Sequence, residues 1–258
     1  MSERFSCLRW QSLRLCKRGN SEVEYEDAAA GNPDNGRFAI SDGASEASFA
    51  GSWARGLVDA FVTTPSKPWQ DFAWLAEVRQ RWAKDVDQLT LPWYAETKRD
   101  EGAYATLLGL VVRQPVPEKA GTWRAVAVGD SCLFHTRGGR FLTSFPLTSS
   151  AEFANNPPLI GSRPGPQDAR RRCEHGHGHW QLNDRFLLMT DALAQWFLRQ
   201  TETEGRPLAL IEELLAGTAP QQVFTDWINT RRDREGLRND DVTLLVVDVL
   251  PESSAIRH

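Results

Sequence analysis

The 258-residue sequence is poor in sulfur, with four cysteines and two methionines. Cys7, Cys16, Cys132 and Cys173 are widely separated and include no Cys-x-x-Cys pair. That spacing excludes a zinc ribbon and a disulfide framework, and it fits a reducing, cytoplasmic setting. Long apolar runs are also missing. The cleanest, Leu107 to Val112, is far shorter than the roughly 18 residues a membrane span requires, and the opening MSERFSCLRW lacks an apolar signal core. Charge of one sign does not accumulate either, since 30 Lys+Arg face 34 Asp+Glu for a net charge of −4. Without a basic run there is no electrostatic footprint for nucleic acid or an anionic membrane, and neither is expected as a partner.

Bulky apolar residues are plentiful: ten Trp, twelve Phe and 41% hydrophobic residues overall. At about 25 cal/mol per Å² of buried apolar area, they supply one sizeable core. The chain therefore reads as a single domain over residues 1–258. Trp53, Trp69, Trp74, Trp82 and Trp196 lie mostly on helical stripes and are expected in that core rather than on a ligand platform.

Hydrophobic period divides the chain. Residues 5–16 alternate as a strand near a sheet edge, and Arg37–Ser41 is a short strand running into Asp42-Gly43. Phe49, Trp53, Leu57, Ala60 and Phe61 then take a helical spacing. A second amphipathic helix is predicted after Pro68, carrying Trp69, Phe72, Leu75, Trp82, Val86 and Leu89. Strands follow at Tyr104–Val112, Trp123–Val128 and Cys132–His135, with Gly129-Asp130-Ser131 read as a hairpin turn and Gly138-Gly139 as the next, giving a meander. Residues 145–178, rich in Pro, Gly, Ser and Arg, read as an irregular flap-like excursion of the sort that borders sites. A strand at Phe186–Met189, helices near 191–200, 207–216 and 220–232, and a final strand at Val242–Val249 complete the pattern. Strands and helix pairs arranged in such blocks predict an α+β fold, a four-layer α-β-β-α sandwich of two antiparallel sheets flanked by helices.

Chemistry is concentrated in acids. Asp27, Asp42, Asp130, Asp191 and Asp240 each stand at a strand end or in the turn beside it, and strand ends can converge. Any one of them alone is ordinary turn chemistry. Gathered together, they repel one another and call for a hard cation. With no His or Cys among them the set favours Mg²⁺ or Mn²⁺ over zinc. Two such ions, roughly 3.5 to 4 Å apart, can clamp an in-line phosphoryl displacement. His175, His177 and His179 alternate, so a strand would place them on one face, but Gly176 and Gly178 favour an exposed polar loop over a metal site.

These residues resemble the metal-dependent serine/threonine protein phosphatases of the PPM, or type 2C, family. Val23-Glu24-Tyr25-Glu26-Asp27-Ala28 resembles its E-D-A opening, and Phe38-Ala39-Ile40-Ser41-Asp42-Gly43 its strand ending in D-G. Gly102-Ala103-Tyr104-Ala105-Thr106-Leu107 is similar to its G-x-T-A strand, and Val126-Ala127-Val128-Gly129-Asp130-Ser131 to its G-D-S turn. Leu187-Leu188-Met189-Thr190-Asp191-Ala192 and Asp240-Asp241-Val242-Thr243 resemble its last two motifs, all in the family's order.

The resemblance implies hydrolysis of phosphoserine and phosphothreonine through a hydroxide bridging two Mn²⁺ or Mg²⁺ ions, with Asp42, Asp191 and Asp240 as the catalytic set. It implies that Asp42 bridges both ions and that the Gly43 carbonyl is a further ligand. Asp191 and Asp240 complete the first ion, Asp27 with Glu26 holds the second, and Asp130 helps bind a weaker third. Phosphoprotein substrates, a serine/threonine kinase or its targets, are the partners this implies.

The sequence also departs from the family's pattern. Glu22 stands five residues before Asp27, where the family places a phosphate-gripping arginine, which leaves Lys17 and Arg18 upstream as the candidates for that grip. The family's D-G-x-G-G becomes Asp42-Gly43-Ala44-Ser45-Glu46, and its second D-G becomes Asp191-Ala192. Ala44 also removes the histidine that some relatives use as a general acid. A catalytically weak relative serving as a regulatory binding module, or a small-molecule phosphoesterase, are the alternative readings.

Overall fold

The computed structural model describes residues 6–44, 49–63, 72–88, 99–114, 120–164 and 172–251. Strand β1 (Ser6–Leu15) is followed by β2 (Ala28–Asn32), β3 (Arg37–Ser41), helix α1 (Ala50–Thr63) and helix α2 (Leu75–Asp87). Next come β4 (Tyr104–Ala105), β5 (Leu107–Arg113), β6 (Gly121–Val128), β7 (Cys132–Arg137), β8 (Arg140–Phe145) and β9 (Ile160–Gly161). The chain continues through β10 (Glu174–Trp180), β11 (Asp184–Met189), α3 (Asp191–Glu202), α4 (Pro207–Leu215), α5 (Pro220–Arg234) and β12 (Val242–Pro251).

One sheet has the order β1-β12-β11-β7-β8 and the other β10-β6-β5-β3-β2, every pairing antiparallel, while β4 and β9 form a separate two-stranded ribbon. Alternation along the strands builds three apolar layers from two sheets. Leu245, Val247 and Val249 of β12 face Phe38, Ile40, Leu108 and Leu110 of the opposite sheet, and Val242, Leu244 and Val246 face α3, α4 and α5. On the far side, Trp53, Leu57 and Phe61 of α1 recur at i, i+4 and i+8 to cover Ala39, Leu107 and Val111. The four-layer α-β-β-α sandwich expected from the sequence is the architecture observed. Trp53, Trp74, Trp82 and Trp196 are buried, and Trp69 lies outside the described residues.

Three expectations are corrected. Gly129-Asp130-Ser131 is not a hairpin turn, because β6 pairs with β5 and β10 whereas β7 pairs with β11 and β8. The turn instead carries the chain from one sheet to the other. The strand at 104–112 is broken at Thr106, whose N–H donates to the Asp42 carbonyl at 2.8 Å.

The third correction concerns residues 145–178, which are more regular than their composition implies. Ile160–Gly161 pairs with β4, and residues from Glu174 onward form the edge strand β10. Gly176 and Gly178 are required there by close packing rather than by a turn. A Cβ would stand 2.9 Å from Phe145 at Gly176 and 2.6 Å from the Trp123 indole at Gly178. His175, His177 and His179 consequently lie exposed on one strand face, with His177 opposite Arg124. The helix predicted after Pro68 is observed from Leu75. Pro68 and Leu89 lie outside the described residues.

Candidate metal centre

Antiparallel register brings the acidic positions to one end of the sandwich. Ala28 pairs with Ser41, so Asp27 at the entrance of β2 lies beside Asp42 at the exit of β3. Met189 pairs with Leu244, which puts Asp191 after β11 next to Asp240 ahead of β12. Leu107 pairs with Val128, so Asp130 after β6 leaves from the same end.

Asp27 joins the two sheets. Its Oδ2 accepts from the Thr243 hydroxyl at 2.7 Å and the Thr190 hydroxyl at 3.0 Å, both from the opposite sheet. Its Oδ1 is buried without a hydrogen-bond partner. Tyr25 contributes its hydroxyl to the same Thr243 oxygen. Burial pushes the Asp27 carboxyl well above the usual range, with Asp241 and Asp191 adding to the rise, while the threonine hydrogen bonds act against it.

Asp42 is fixed through its backbone, its N–H donating to Thr106 Oγ1 at 2.9 Å. Gly43 bridges to Ala105, and a Cβ there would stand 2.8 Å from the Glu26 carbonyl oxygen and 3.0 Å from Ala50. Glycine thus lets the D-G turn close onto the E-D turn. Burial raises the Asp42 carboxyl well above its usual value, and Asp27, Asp191, Asp240 and Asp130 all push it further. The same combination of burial and neighbouring acids raises Asp130 to about 7 and raises Asp240. The positions Ser45 and Glu46 in the altered D-G-x-G-G motif lie outside the described residues.

Two residues not expected from the sequence to belong to the site organise the cluster. Asp241 accepts from the Lys17 amide and the Glu26 amide, each at 2.7 Å, tying both incoming turns to the start of β12. Arg238 extends one guanidinium nitrogen to Asp191 Oδ2 and to Asp240 Oδ2, the latter at 3.4 Å. The Asp-Asp doublet was the visible signal for Asp241. Arg238 carried none, since one arginine in a polar loop has no pattern.

The upstream cations differ from one another. Arg18 is engaged with Asp233 at 2.8 Å and with Asn229, so its guanidinium is committed to α5. The Lys17 charge acts on Asp240. Glu22 is paired with Arg14 at 3.3 Å, so its carboxylate does not face the cluster uncompensated.

Among the described residues, no three Asp, Glu, His or Cys groups stand close enough to share an ion. This holds for the acidic end, where Arg238 lies between Asp191 and Asp240, and for the histidine strand, where Cys173 Sγ lies 3.3 Å from His175 Nε2. The donor chemistry at the acidic end nevertheless suits a hard divalent cation. It is all oxygen, neighbouring carboxylates raise Asp42 and Asp130, and Asp27 Oδ1 is a buried acceptor without a donor.

The sequence model described as Protein phosphatase 2C matches residues 21–242. The chain belongs to this family. Solved phosphatases of the 2C type share its fold. The Mycobacterium tuberculosis serine/threonine phosphatase PstP/Ppp superposes with a TM-score of 0.58 at 16% identity, covering 95% of this chain and 99% of that one. The PstP catalytic domain in complex with two manganese ions gives 0.55 at 18% identity, over 95% and 99%. PppA, a key regulatory component of T6SS in Pseudomonas aeruginosa, gives 0.56 at 17% identity, over 96% and 100%. Among curated proteins none matches the sequence. No helix among the described residues of this 2C-type phosphatase is long and apolar enough to cross a membrane.

Proposed function

We propose that this 2C-type phosphatase hydrolyses phosphoserine and phosphothreonine in proteins with Mn²⁺ or Mg²⁺ held by Asp42, Asp191, Asp240, Asp27, Glu26 and the Gly43 carbonyl, with Asp130 serving a weaker third ion. The observation that carries this reading is the gathering of acids from five separate strand ends at one edge of the sandwich, where Asp27, Asp191, Asp240 and Asp130 all push up the Asp42 carboxyl and Asp191 pushes up Asp130 and Asp240. The relative PstP, solved with two manganese ions, supports the choice of metal.

Bound ions would supply a nucleophilic water at neutral pH and charge to stabilise phosphoryl transfer. The chain's own residues prepare the site. Thr243 and Thr190 orient Asp27 so that its second oxygen points away from them. Asp241 holds the Glu26 turn in place through its amide. Thr106 fixes the Asp42 backbone. Lys17, whose charge reaches Asp240, is the residue available to attract a phosphate dianion.

A regulatory binding module with weak turnover is the second reading. It is favoured by Glu22 at the family's arginine position and by the commitment of Arg18 to Asp233. Phosphate release from a phosphothreonine peptide and from an aryl phosphate, with Mn²⁺ and with chelator, separates the two. Mn²⁺-dependent turnover that Asp42→Asn reduces at least about 100-fold supports the enzyme. Folded, Mn²⁺-loaded protein that releases no phosphate from either substrate supports the module. Turnover confined to the aryl phosphate indicates a small-molecule phosphoesterase.

A further inference from the structure

Asp191 and Asp240, the pair read as sharing one divalent ion, share one guanidinium. Arg238 Nη2 meets Asp191 Oδ2 and lies 3.4 Å from Asp240 Oδ2. We propose that Arg238 is a built-in counter-cation that competes with the divalent ion for Asp191 and Asp240, so that it must swing out for the ion to bind and thereby sets the protein's metal affinity. The inference rests on the metal-centre reading above and concerns how that site is regulated.

Three features support competition over a permanent structural pair. First, the charges are unequal. A single guanidinium brings one positive charge to a cluster that includes Asp27, Asp42 and Asp130 besides its two partners, and leaves Asp27 Oδ1 without a donor. A divalent ion offers twice the charge in a smaller volume, so it can displace the arginine where both seek the same oxygens.

Second, Arg238 is free to leave. Its side chain is 46% exposed, and among the described residues its ion pairs are with these two acids alone. Turning outward returns the guanidinium to water, and the partly exposed ion pairs it gives up hold it only weakly.

Third, its departure leaves the loop in place. Arg232 donates to the Asp240 carbonyl at 2.6 Å and to the Cys16 carbonyl at 3.3 Å. The Asp240 N–H also reaches the Arg238 carbonyl at 3.1 Å, so the backbone around Asp240 is held by contacts that do not involve the Arg238 side chain. Arg232 at the end of α5 and Arg238 in the loop thus divide the work, one fixing the backbone and the other covering the carboxylates.

Calorimetric titration of the chelator-treated, dialysed protein with Mn²⁺ tests this without any assay of turnover. Arg238→Ala should bind the tightest ion about tenfold more strongly than the unmodified protein, equivalent to about 1.4 kcal/mol. Arg238→Lys should fall between them, because an ammonium keeps the charge without the planar fork. Exposed Arg206→Ala, the same charge change at the start of α4, should leave the affinity unchanged.

Thermal unfolding supplies a second readout. In chelator Arg238→Ala should melt below the unmodified protein, since Asp191 and Asp240 lose their counter-charge, and saturating Mn²⁺ should close that gap. Equal or weaker Mn²⁺ binding by folded Arg238→Ala overturns the competition alone, and should that variant not fold, Arg238→Lys decides by the same criterion. Absence of Mn²⁺ uptake by both unmodified and variant proteins overturns the metal-centre reading and the competition with it.

Discussion

The backbone N–H of Glu26 donates to Asp241 Oδ2 at 2.7 Å, joining two turns 215 positions apart in the chain. The other oxygen of the same carboxylate accepts the Lys17 amide at 2.7 Å. One aspartate therefore fixes both segments that enter the acidic end from the N-terminal side, and removing it leaves two donors unsatisfied. Asp241→Ala should destabilise the protein by about 3 kcal/mol, and Asp241→Asn, which keeps one acceptor oxygen, by about half as much. Denaturant unfolding checks this. A loss under about 0.5 kcal/mol for Asp241→Ala would show that water replaces the carboxylate.

The raised carboxyls predict an unusual pH dependence. Asp130 is held at about 7, with burial as the main cause and Asp191 next, whereas in the unfolded chain it titrates near 3.8. Between those values the folded state binds the extra proton, so stability in chelator should fall as pH rises from about 4 to 7 and level off above, by up to about 4 kcal/mol from this group. Asp27, Asp42 and Asp240 shift in the same direction. On the proposed reading Mn²⁺ would bind the ionised carboxylates, so the stabilisation it gives should be larger at pH 8 than at pH 5. Melting curves across that range, with and without the ion, measure both effects. A chelated protein that grows more stable from pH 5 to 7 would contradict the electrostatic account.

Gly43→Ala probes the closure of the D-G turn on the E-D turn. The added methyl would stand 2.8 Å from the Glu26 carbonyl oxygen and 3.0 Å from Ala50, contacts that only backbone movement relieves. A loss of about 1 to 3 kcal/mol is expected, together with weaker Mn²⁺ binding. Unfolding and calorimetry on the same variant read both, and unchanged values in each would mean that the two turns move independently.

The phosphate grip separates Lys17 from Arg18. Arg18 is engaged by Asp233 and Asn229, so Arg18→Ala should change the KM for a phosphopeptide by less than about twofold. Lys17→Ala should raise KM about tenfold with a smaller effect on kcat, as loss of ground-state binding does. Steady-state kinetics on the pair decides, and the reverse order would move the grip to Arg18.

Much of this site was legible because antiparallel pairing converts strand ends that are distant in sequence into neighbours. Each acidic motif follows or precedes an apolar strand whose period is plain, so the family's motif order and the layer architecture emerge together. What was hidden depended on partners that pattern does not reveal. Gly176 and Gly178 resemble loop residues because their reason, the Phe145 and Trp123 rings against that strand face, comes from elsewhere in the chain. Gly129-Asp130-Ser131 looks like a hairpin turn since a short turn is the same locally whether it joins two strands of one sheet or crosses between sheets. Glu22 marks the family's arginine position in the sequence, but its pairing with Arg14 on β1 is a contact between side chains that no motif announces. Arg238 belongs with these, a lone side chain given meaning by two carboxylates 49 positions apart.

The convergent acids are the central claim, and anomalous diffraction from a Mn²⁺-soaked crystal tests it most directly. The account predicts anomalous peaks among the side chains of Asp42, Asp191 and Asp240, with Asp27 and Glu26 beside them and the Arg238 guanidinium turned away from both acids. A crystal saturated with Mn²⁺ that shows no peak at that end of the sandwich, or shows one only beside His175, His177 and His179, would contradict it.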